Sequence, residues 1–291
     1  MGSALRAFLG NVGFLELQYL NPSCDQIYAQ FCKSKQLKPE YEVSDSGVNG
    51  FWLGSKSAQC IIIHFHAGGY ALDITPNHFG VWFRIIQEMA QQGVDIAVFF
   101  PVYTLTTQAS YPTQFTEGVS ALNHIVDKLG RDPSEIILSG DSAGGNMCLA
   151  IMSHMMHPCP EITEKAVKTN WASMKKNVYR GTDNTGTMAK MARSYMNGRD
   201  TDNYIEPALA PIDWWTKCPV KETFAVAGED EVLIDPIKVW AERFQAAGNK
   251  TRFVVAPREF HIELFTLPMF GIDRETIMEQ EMKAWLFSIA K

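Results

Sequence analysis

A glycine-rich stretch in the middle of the chain constrains its structure most. Gly140, Ser142 and Gly144 form a G-x-S-x-G pattern that follows an apolar run at 135–138 and precedes a helix-like segment at 143–157. This order of strand, sharp turn and helix is the context in which the serine of the pattern acts as a nucleophile. The pattern predicts a strained backbone at Ser142, with glycines on either side leaving room for the turn. We therefore expect the Ser142 hydroxyl at the carboxyl end of a buried strand.

Apolar runs and amphipathic segments alternate along most of the chain. Continuous apolar runs are typical of strands that are covered on both faces. The strands predicted from such runs are 60–65, 95–100, 135–139, 223–228 and 251–256. The helices predicted from apolar spacing are 79–92, 115–129, 143–157, 236–247 and 274–290. Alternation of this kind favours an α/β domain with a mainly parallel, doubly wound sheet.

The segment after the nucleophile helix has a different composition. Residues 158–219 are rich in Lys, Thr, Asn and Met and contain no strong strand pattern. We predict one domain over 1–291, with a helical cap built from about 1–45 and the insertion 161–215. A further buried strand is expected just before the cap, and its best candidate is 165–171. That candidate is poor, because only Ala166, Val167 and Trp171 are apolar.

Composition narrows the class of partner and the cellular compartment. The 291 residues carry a net charge of −6 with no basic run, which argues against nucleic acid as a partner. Six cysteines without a C-x-x-C pair favour reduced thiols and a cytoplasmic protein. Arg6 and Glu16 interrupt the apolar stretch 4–20, so neither a transmembrane segment nor a signal peptide is expected.

A serine nucleophile needs a base and an acid that orients the base. His261 follows the last predicted strand, and its loop is expected to open at the same edge of the sheet as Ser142. Two acids, Asp230 and Glu231, share the loop after the preceding strand, and position alone leaves both open. Asp235 is better explained as the N-cap of the helix at 236–247, with Pro following it. The chain order of serine, acid and histidine is the one that this arrangement takes in one hydrolase fold.

Backbone amides for an oxyanion are predicted in two places. Gly68 and Gly69 follow the first buried strand, and glycine lets the backbone approach an acyl oxygen closely. Ala143, directly after the nucleophile, offers a third amide. His66, just before the glycines, is expected to shape this loop and not to react.

We predict no metal and no cofactor. His64 and His66 form an H-x-H pair, but no carboxylate or cysteine completes a ligand set locally. The stretch from Gly140 to Gly145 does not read G-x-G-x-x-G, and no phosphate loop is present, so a nucleotide cofactor is not expected.

These motifs resemble the hormone-sensitive-lipase-like branch of the α/β-hydrolases. The stretches that carry the resemblance are the H-A-G-G-Y at 66–70, the G-D-S-A-G-G at 140–145, the acid loop at 231–235 and His261. The sequence is most similar to fungal esterases of secondary metabolism and to steryl-acetyl hydrolases. The resemblance implies an α/β-hydrolase fold, and the family's D-P-L-x-D pattern favours Glu231 over Asp230 as the acid. Ala67 departs from the usual H-G-G-G, and 165–171 lacks the apolar strand that is usual there.

The resemblance and the motifs together predict a serine carboxylester hydrolase that acts on a small apolar ester, natural-product esters included. One alternative is a non-hydrolytic step of fungal secondary metabolism in the same pocket, such as C–C bond formation or cleavage, cyclisation, elimination or acyl transfer. A second alternative is a non-enzymatic binder, which an intact His261 disfavours. A homodimer is left open. Side chains expected to line the substrate pocket are Phe14, Tyr19, Trp171, Met188, Met191, Tyr195, Tyr204, Trp214 and Trp215.

Overall fold

Eight strands form one sheet in a computed structural model that describes residues 13–162, 173–177, 185–231 and 233–290. The strands are β1 (Tyr41–Val43), β2 (Asn49–Leu53), β3 (Cys60–Phe65), β4 (Ile96–Val102), β5 (Ile136–Gly140), β6 (Ser173–Asn177), β7 (Thr223–Gly228) and β8 (Thr251–Ala256). Their order in the sheet is β1-β2-β4-β3-β5-β6-β7-β8. The pairings from β4 to β8 are parallel, and those that involve β2 are antiparallel. The predicted α/β class with a mainly parallel sheet is confirmed.

Helices lie between the parallel strands and at both ends of the described chain. They are α1 (Phe14–Leu20), α2 (Cys24–Lys35), α3 (Pro76–Gln91), α4 (Thr113–Asn123), α5 (Ala143–Met156), α6 (Thr185–Met196), α7 (Ile234–Ala246), α8 (Glu263–Thr266) and α9 (Ile277–Ile289). A π-helical turn, His124–Lys128, continues α4, and short 3₁₀ turns at Pro207–Leu209 and Ile212–Trp215 lie between α6 and β7. Among the described residues, no helix combines the length and the apolar character needed to cross a bilayer.

The apolar run of β3 explains why the sheet is covered on both faces. Side chains alternate across a strand, so neighbours in sequence point to opposite sides. Ile61 and Ile63 belong to a core cluster with α4 and α5, whereas Ile62 belongs to a second cluster with α2, α3 and α9. All three are fully buried. The sheet therefore separates two apolar cores, as the uninterrupted run predicted.

Two local predictions differ from the structure. Helix α7 begins at Ile234 with Leu233 as its N-cap, so Asp235 lies inside the first turn and does not cap the helix. The acidic side chain still lies near the positive end of the helix, where it is favourable. The strand between β5 and β7 is β6, Ser173–Asn177, whereas the predicted 165–171 lies outside the described residues. The assignment of 1–45 and 161–215 to a cap stays a prediction.

Candidate active site

Ser142 lies at the turn between β5 and α5. Its backbone has φ 55° and ψ −120°, in a region that non-glycine residues rarely adopt. Close packing explains the flanking glycines. A Cβ on Gly144 would lie 1.9 Å from the carbonyl oxygen of Phe65, and a Cβ on Gly140 would lie 2.3 Å from the backbone of Gly144. The turn therefore packs closely against the end of β3, and Ser142 has the strained backbone that the sequence predicted.

His261 lies within hydrogen-bond distance of this serine. Its Nε2 is 3.0 Å from Ser142 Oγ, although the two residues are 119 positions apart in the chain. The histidine follows β8 in a loop that ends at Ile262, which itself has a positive φ of 45°. A β-branched residue in that region is strained, so the surrounding contacts must impose the conformation of this loop.

Two buried glutamates anchor the His261 loop. Glu259 accepts hydrogen bonds from the backbone N–H groups of Ile277 and Met278 at the start of α9. Glu263 accepts one from the backbone N–H of Phe260 and also contacts Arg274. Both glutamates are 2% exposed. The loop is thus tied to the start of α9 before the histidine and to Arg274, which precedes α9, after it.

The two candidate acids differ in burial. Glu231 is 5% exposed, and its Oε2 accepts a 2.9 Å hydrogen bond from the backbone N–H of Gly228. The side chain of Asp230 is exposed, while its backbone N–H donates to the carbonyl of Glu259 at 3.0 Å. That backbone bond ties the acid loop to the His261 loop. Of the two acids, Glu231 is therefore the one whose carboxylate is buried, next to the end of β7.

The predicted oxyanion loop leaves the sheet beside the serine turn. Strands β3 and β5 are parallel neighbours, so the loops that follow them open at the same edge. The backbone N–H of Asp141 donates to the carbonyl of Phe65 across this edge at 3.3 Å. Gly68 and Gly69 both have positive φ, 115° and 59°, a backbone conformation that glycine adopts without strain. Ala143 is buried as the first residue of α5.

His66 supports this loop without facing solvent. Its Nδ1 donates to the carbonyl of Ala67, and its ring stacks on Tyr103 with the ring centres 4.4 Å apart. The Tyr103 hydroxyl donates to the His66 carbonyl at 2.9 Å. Burial, with a smaller effect from His78, lowers the pKa of His66 to about 3. The ring is therefore neutral near pH 7.

A buried chain of polar side chains lies beneath the serine turn. His78 Nε2 donates to one oxygen of Asp141 at 3.2 Å, and His64 Nε2 lies 3.3 Å from the other. The outer ring nitrogens contact the hydroxyls of Thr75 and Ser139. Burial alone would raise the pKa of Asp141. The interactions with His78 and His64 outweigh it and hold that pKa well below its usual range.

Sequence reasoning missed this cluster. The H-x-H pair at 64 and 66 was the visible signal, but its partners come from α3 and from the serine turn, 14 and 77 positions beyond His64. Within the described parts of the chain, His64, His78 and Asp141 are also the group whose donor atoms, within 4.8 Å of one another, could hold a metal ion. In the structure each oxygen of the Asp141 carboxylate already has an imidazole nitrogen as its neighbour.

The predicted pocket residues fall into two groups. Trp214 stacks on His157, Tyr204 donates to the His157 carbonyl, and Trp215 is fully buried. Because α5 rises about 1.5 Å per residue, His157 lies about 20 Å from Ser142. Those three aromatics therefore fill the core at the far end of α5.

Other predicted pocket residues lie elsewhere. Tyr195 and Met191, on α6, contact the loop at 69–70. Tyr19 is 91% exposed, and Trp171 lies outside the described residues. The described members of the predicted set that reach the candidate oxyanion loop are thus on one helix.

The fold and the candidate site described above are typical of one family of proteins. A family described as having the alpha/beta hydrolase fold matches residues 62–265, which include Ser142, His261 and Glu231 as well as the glycine loop at 68–69. The chain therefore belongs to the α/β-hydrolase family.

Within that family the chain is similar to hormone-sensitive-lipase-like members. Steryl acetyl hydrolase 1 of Saccharomyces cerevisiae is 31% identical over 216 residues, which cover 65% of this chain and 49% of that protein. Acetyl-hydrolase of Streptomyces hygroscopicus is 22% identical over 74% of this chain and 72% of its own length. Hormone-sensitive lipase of Mus musculus is 29% identical over 97 residues, or 32% of this chain and 12% of that protein. The chain thus matches about half or less of the length of some of these relatives.

Solved structures share the fold at lower identity. Carboxyl esterase 2 of Tuber melanosporum superposes with a TM-score of 0.68 at 18% identity, covering 87% of this chain and 86% of that one. An esterase of the bacterial hormone-sensitive lipase family gives a TM-score of 0.69 at 18% identity, with 98% of each chain covered. At 18% sequence identity, both similarities show a shared fold and nothing beyond it.

Proposed function

We propose that the protein is a serine carboxylester hydrolase that acts on apolar esters through an acyl-enzyme. The observation that carries the proposal is the 3.0 Å contact between Ser142 Oγ and His261 Nε2 at the edge of the sheet. A serine hydroxyl becomes an effective nucleophile when a neighbouring base takes its proton. The similarity to acetyl-hydrolases and esterases described above supports the same class of reaction.

The proposed reaction has two halves. His261 takes the hydroxyl proton as Ser142 Oγ attacks the ester carbonyl, and the imidazolium then protonates the departing alkoxide. A water molecule, deprotonated by the same imidazole, attacks the acyl-enzyme, and the carboxylic acid leaves as Ser142 regains its proton. The amides of Gly68, Gly69 and Ala143 are proposed to hold the oxyanion in both halves.

Glu231 is proposed as the acid that orients His261. Its burial supports this role, because a carboxylate removed from water interacts more strongly with a developing imidazolium. Asp230 is exposed, so solvent screens its charge. We expect Glu231→Gln to lower kcat by about 10⁴-fold, as loss of the triad acid does elsewhere. Asp230→Asn is the matched control, and a comparable loss in that variant would reverse the assignment.

Covalent labelling tests the proposal directly. A fluorophosphonate should label the intact protein once, at Ser142, as read by mass spectrometry. Ser142→Ala and His261→Ala should lose both the label and the hydrolysis of p-nitrophenyl acetate, whereas Ser46→Ala, at an exposed serine, should retain both. A folded protein that neither reacts with the probe nor cleaves the ester would refute the hydrolase assignment and favour a binding protein.

Product analysis separates hydrolysis from the non-hydrolytic alternatives. An acyl-enzyme can be resolved by water or by another alcohol, and the two outcomes differ in whether the free acid or a new ester accumulates. We expect the free acid and the alcohol in equal amounts from each ester consumed. Consumption of a substrate without release of either product would point to a different reaction in the same pocket.

A further inference from the structure

Two backbone amides of the turn that follows Gly68 hold its carbonyl group. The N–H groups of Ala71 and Leu72 both donate to this oxygen at 3.0 Å. The peptide bond between Gly68 and Gly69 is planar and trans, so its carbonyl and its N–H point in opposite directions. The two bonds that fix the Gly68 carbonyl therefore also fix the direction of the Gly69 N–H, which is one of the proposed oxyanion donors.

A side chain of the N-terminal helix holds the same turn from outside. Gln18, on α1, donates from its Nε2 to the carbonyl of Ala71 at 2.7 Å, although the two residues are 53 positions apart. Its Oε1 accepts a 2.8 Å hydrogen bond from the Thr107 hydroxyl. A backbone carbonyl can only accept, so the nitrogen of the Gln18 amide must be the atom that faces Ala71.

These contacts form a closed ring with a second bond to the turn. The backbone N–H of Thr106 donates to the carbonyl of Tyr70 at 2.8 Å. Tyr70 is the chain neighbour of Ala71, and Thr106 is the chain neighbour of Thr107, so Gln18 joins the two loops at a second point. Ala71 is fully buried and Gln18 is partly buried, which limits the access of water to the bond between them. The position of the Ala71 backbone therefore depends on α1.

The direction of an oxyanion donor affects turnover more than binding. Negative charge develops on the ester oxygen only as the carbonyl carbon is attacked, so donors aimed at it stabilise the transition state more than the bound ester. A rotation of the peptide between Gly68 and Gly69 would misdirect one such donor while Ser142 and His261 stay in contact.

We infer that Gln18 is a positioning residue of the proposed oxyanion site, with Thr107 orienting its amide. This inference rests on the proposed ester hydrolysis at Ser142 and deepens it by assigning the support of the Gly69 amide to the N-terminal helix. Gln18 acts through the Ala71 carbonyl and is not proposed to touch the substrate.

Removal of the Gln18 amide tests the inference. Gln18→Met retains the length of the side chain but has neither the amide donor nor the amide acceptor. We expect kcat for p-nitrophenyl acetate, per serine that a fluorophosphonate labels, to fall about tenfold, less than the ~10²- to 10³-fold cost of losing an oxyanion donor outright. KM should stay close to its original value, because the bound ester carries no oxyanion.

A trifluoromethyl ketone provides a readout that a loss of folded protein would not move. The reactive serine adds to its carbonyl carbon, and the adduct carries an oxyanion like that of the transition state. Its inhibition constant should rise in Gln18→Met by about the factor by which kcat/KM falls. Gln245→Met is the matched control, since Gln245 also donates from Nε2 to a backbone carbonyl, that of Thr251 at 3.1 Å, away from the candidate site. It should leave both constants unchanged.

The hydroxyl of Thr107 tests the route. Thr107→Val removes the bond that orients the Gln18 amide, and we expect a smaller fall in kcat than in Gln18→Met. The double variant should be no slower than Gln18→Met alone, because the hydroxyl acts through the amide. Losses that multiply in the double variant would overturn the inference.

The other outcomes are distinguishable. An unchanged kcat per labelled serine in Gln18→Met, a rise in KM alone, or an unchanged inhibition constant would overturn the positioning role while ester hydrolysis stands. An equal loss in Gln245→Met would overturn it as well. Absence of both labelling and hydrolysis in the unaltered protein refutes the proposed function, and the positioning role with it.

Discussion

The two partners of the Ser142–His261 contact are held in different ways. Ser142 joins a buried strand to a buried helix, above a polar cluster of His64, His78 and Asp141 that is at most 3% exposed. His261 lies in a loop whose anchors, Glu259 and Glu263, are buried but share Arg274, which is 52% exposed at its side chain. Ser142, the candidate nucleophile, is thus positioned by packing inside the core, and His261, the candidate base, by charged contacts that reach the surface. We therefore expect substitutions in the first region mainly to lower the free energy of unfolding, and substitutions in the second mainly to lower kcat.

The largest expected effect is at the centre of the buried cluster. Asp141→Ala removes the carboxylate between two imidazoles, and breaking a buried, hydrogen-bonded pair costs about 3–5 kcal/mol of unfolding free energy. Urea titration followed by circular dichroism measures it. Asp230→Ala, at an exposed carboxylate, is the control and should change stability by less than about 0.5 kcal/mol. Equal stability in both variants would contradict the comparison.

Low pH should reduce the free energy of unfolding through His66, which lies near the Ser142 turn. Its pKa is lowered to about 3 in the folded protein, whereas an unfolded histidine titrates near 6.5. Between these values the unfolded chain binds the extra proton, so stability falls as the pH falls. From pH 7 to pH 5 the loss from this residue is about 2 kcal/mol.

A variant without this titration isolates the contribution of His66. His66→Phe should reduce the slope of unfolding free energy against pH by nearly one proton between pH 5 and 6. Tyr103→Phe removes a hydrogen bond to the same residue but leaves the imidazole, so its slope should match that of the unaltered protein. A slope that is the same in all three proteins would show that His66 is not the titrating group.

In the His261 loop we expect a smaller change in the free energy of unfolding and a measurable fall in kcat. Glu259→Gln weakens the hydrogen bonds that hold the His261 loop to the start of α9, and bonds to a charged acceptor are worth about 1.5–3 kcal/mol. Because the loop positions the imidazole, kcat for p-nitrophenyl acetate should fall while the KM stays close to its original value. Glu279→Gln, a substitution of a buried glutamate on α9 itself, is the matched control for a purely structural effect. A fall in kcat that is equal in the two variants would remove the positioning role of Glu259.

The smallest effect is expected at the surface. Arg274→Gln loses contacts with the buried Glu259 and Glu263, but the Arg274 side chain is 52% exposed, so water screens these pairs. We therefore expect a loss of about 1 kcal/mol or less in the free energy of unfolding. Salt screens such pairs, so the difference in kcat between the variant and the unaltered protein should shrink as NaCl rises toward ~1 M. A difference that is independent of salt would mean that Arg274 acts by packing and not by charge.

The sequence was most informative where a residue pattern is typical of only one local structure. The uninterrupted apolar run of β3 predicted a doubly covered strand, and the G-x-S-x-G context predicted the turn that Ser142 adopts. Strand β6 was not predictable, because two of its five residues are lysines and its place is set by β5 and β7 on either side. The pairing of Asp141 with His78 was equally invisible, since the two side chains are 63 residues apart.

For the candidate site, the sequence selected residues but could not choose between neighbours. Asp230 and Glu231 are adjacent acids in one loop, and only the folded chain shows that one is buried and the other exposed. The catalytic roles of Ser142, His261 and Glu231, and of the Gly68, Gly69 and Ala143 amides, remain predictions that the labelling and kinetic experiments test.

Tyr70 connects helix α6 to the candidate oxyanion loop. It directly follows Gly69, has a positive φ of 61°, stacks on Tyr195 and donates from its hydroxyl to Asn146 on α5. A displacement of α6 would therefore break this stack and release the backbone beside Gly68 and Gly69. The position of α6 and the conformation of the candidate oxyanion loop would then be linked equilibria. By reciprocity, a ligand that binds this loop in the conformation described here would also favour the stacked position of α6.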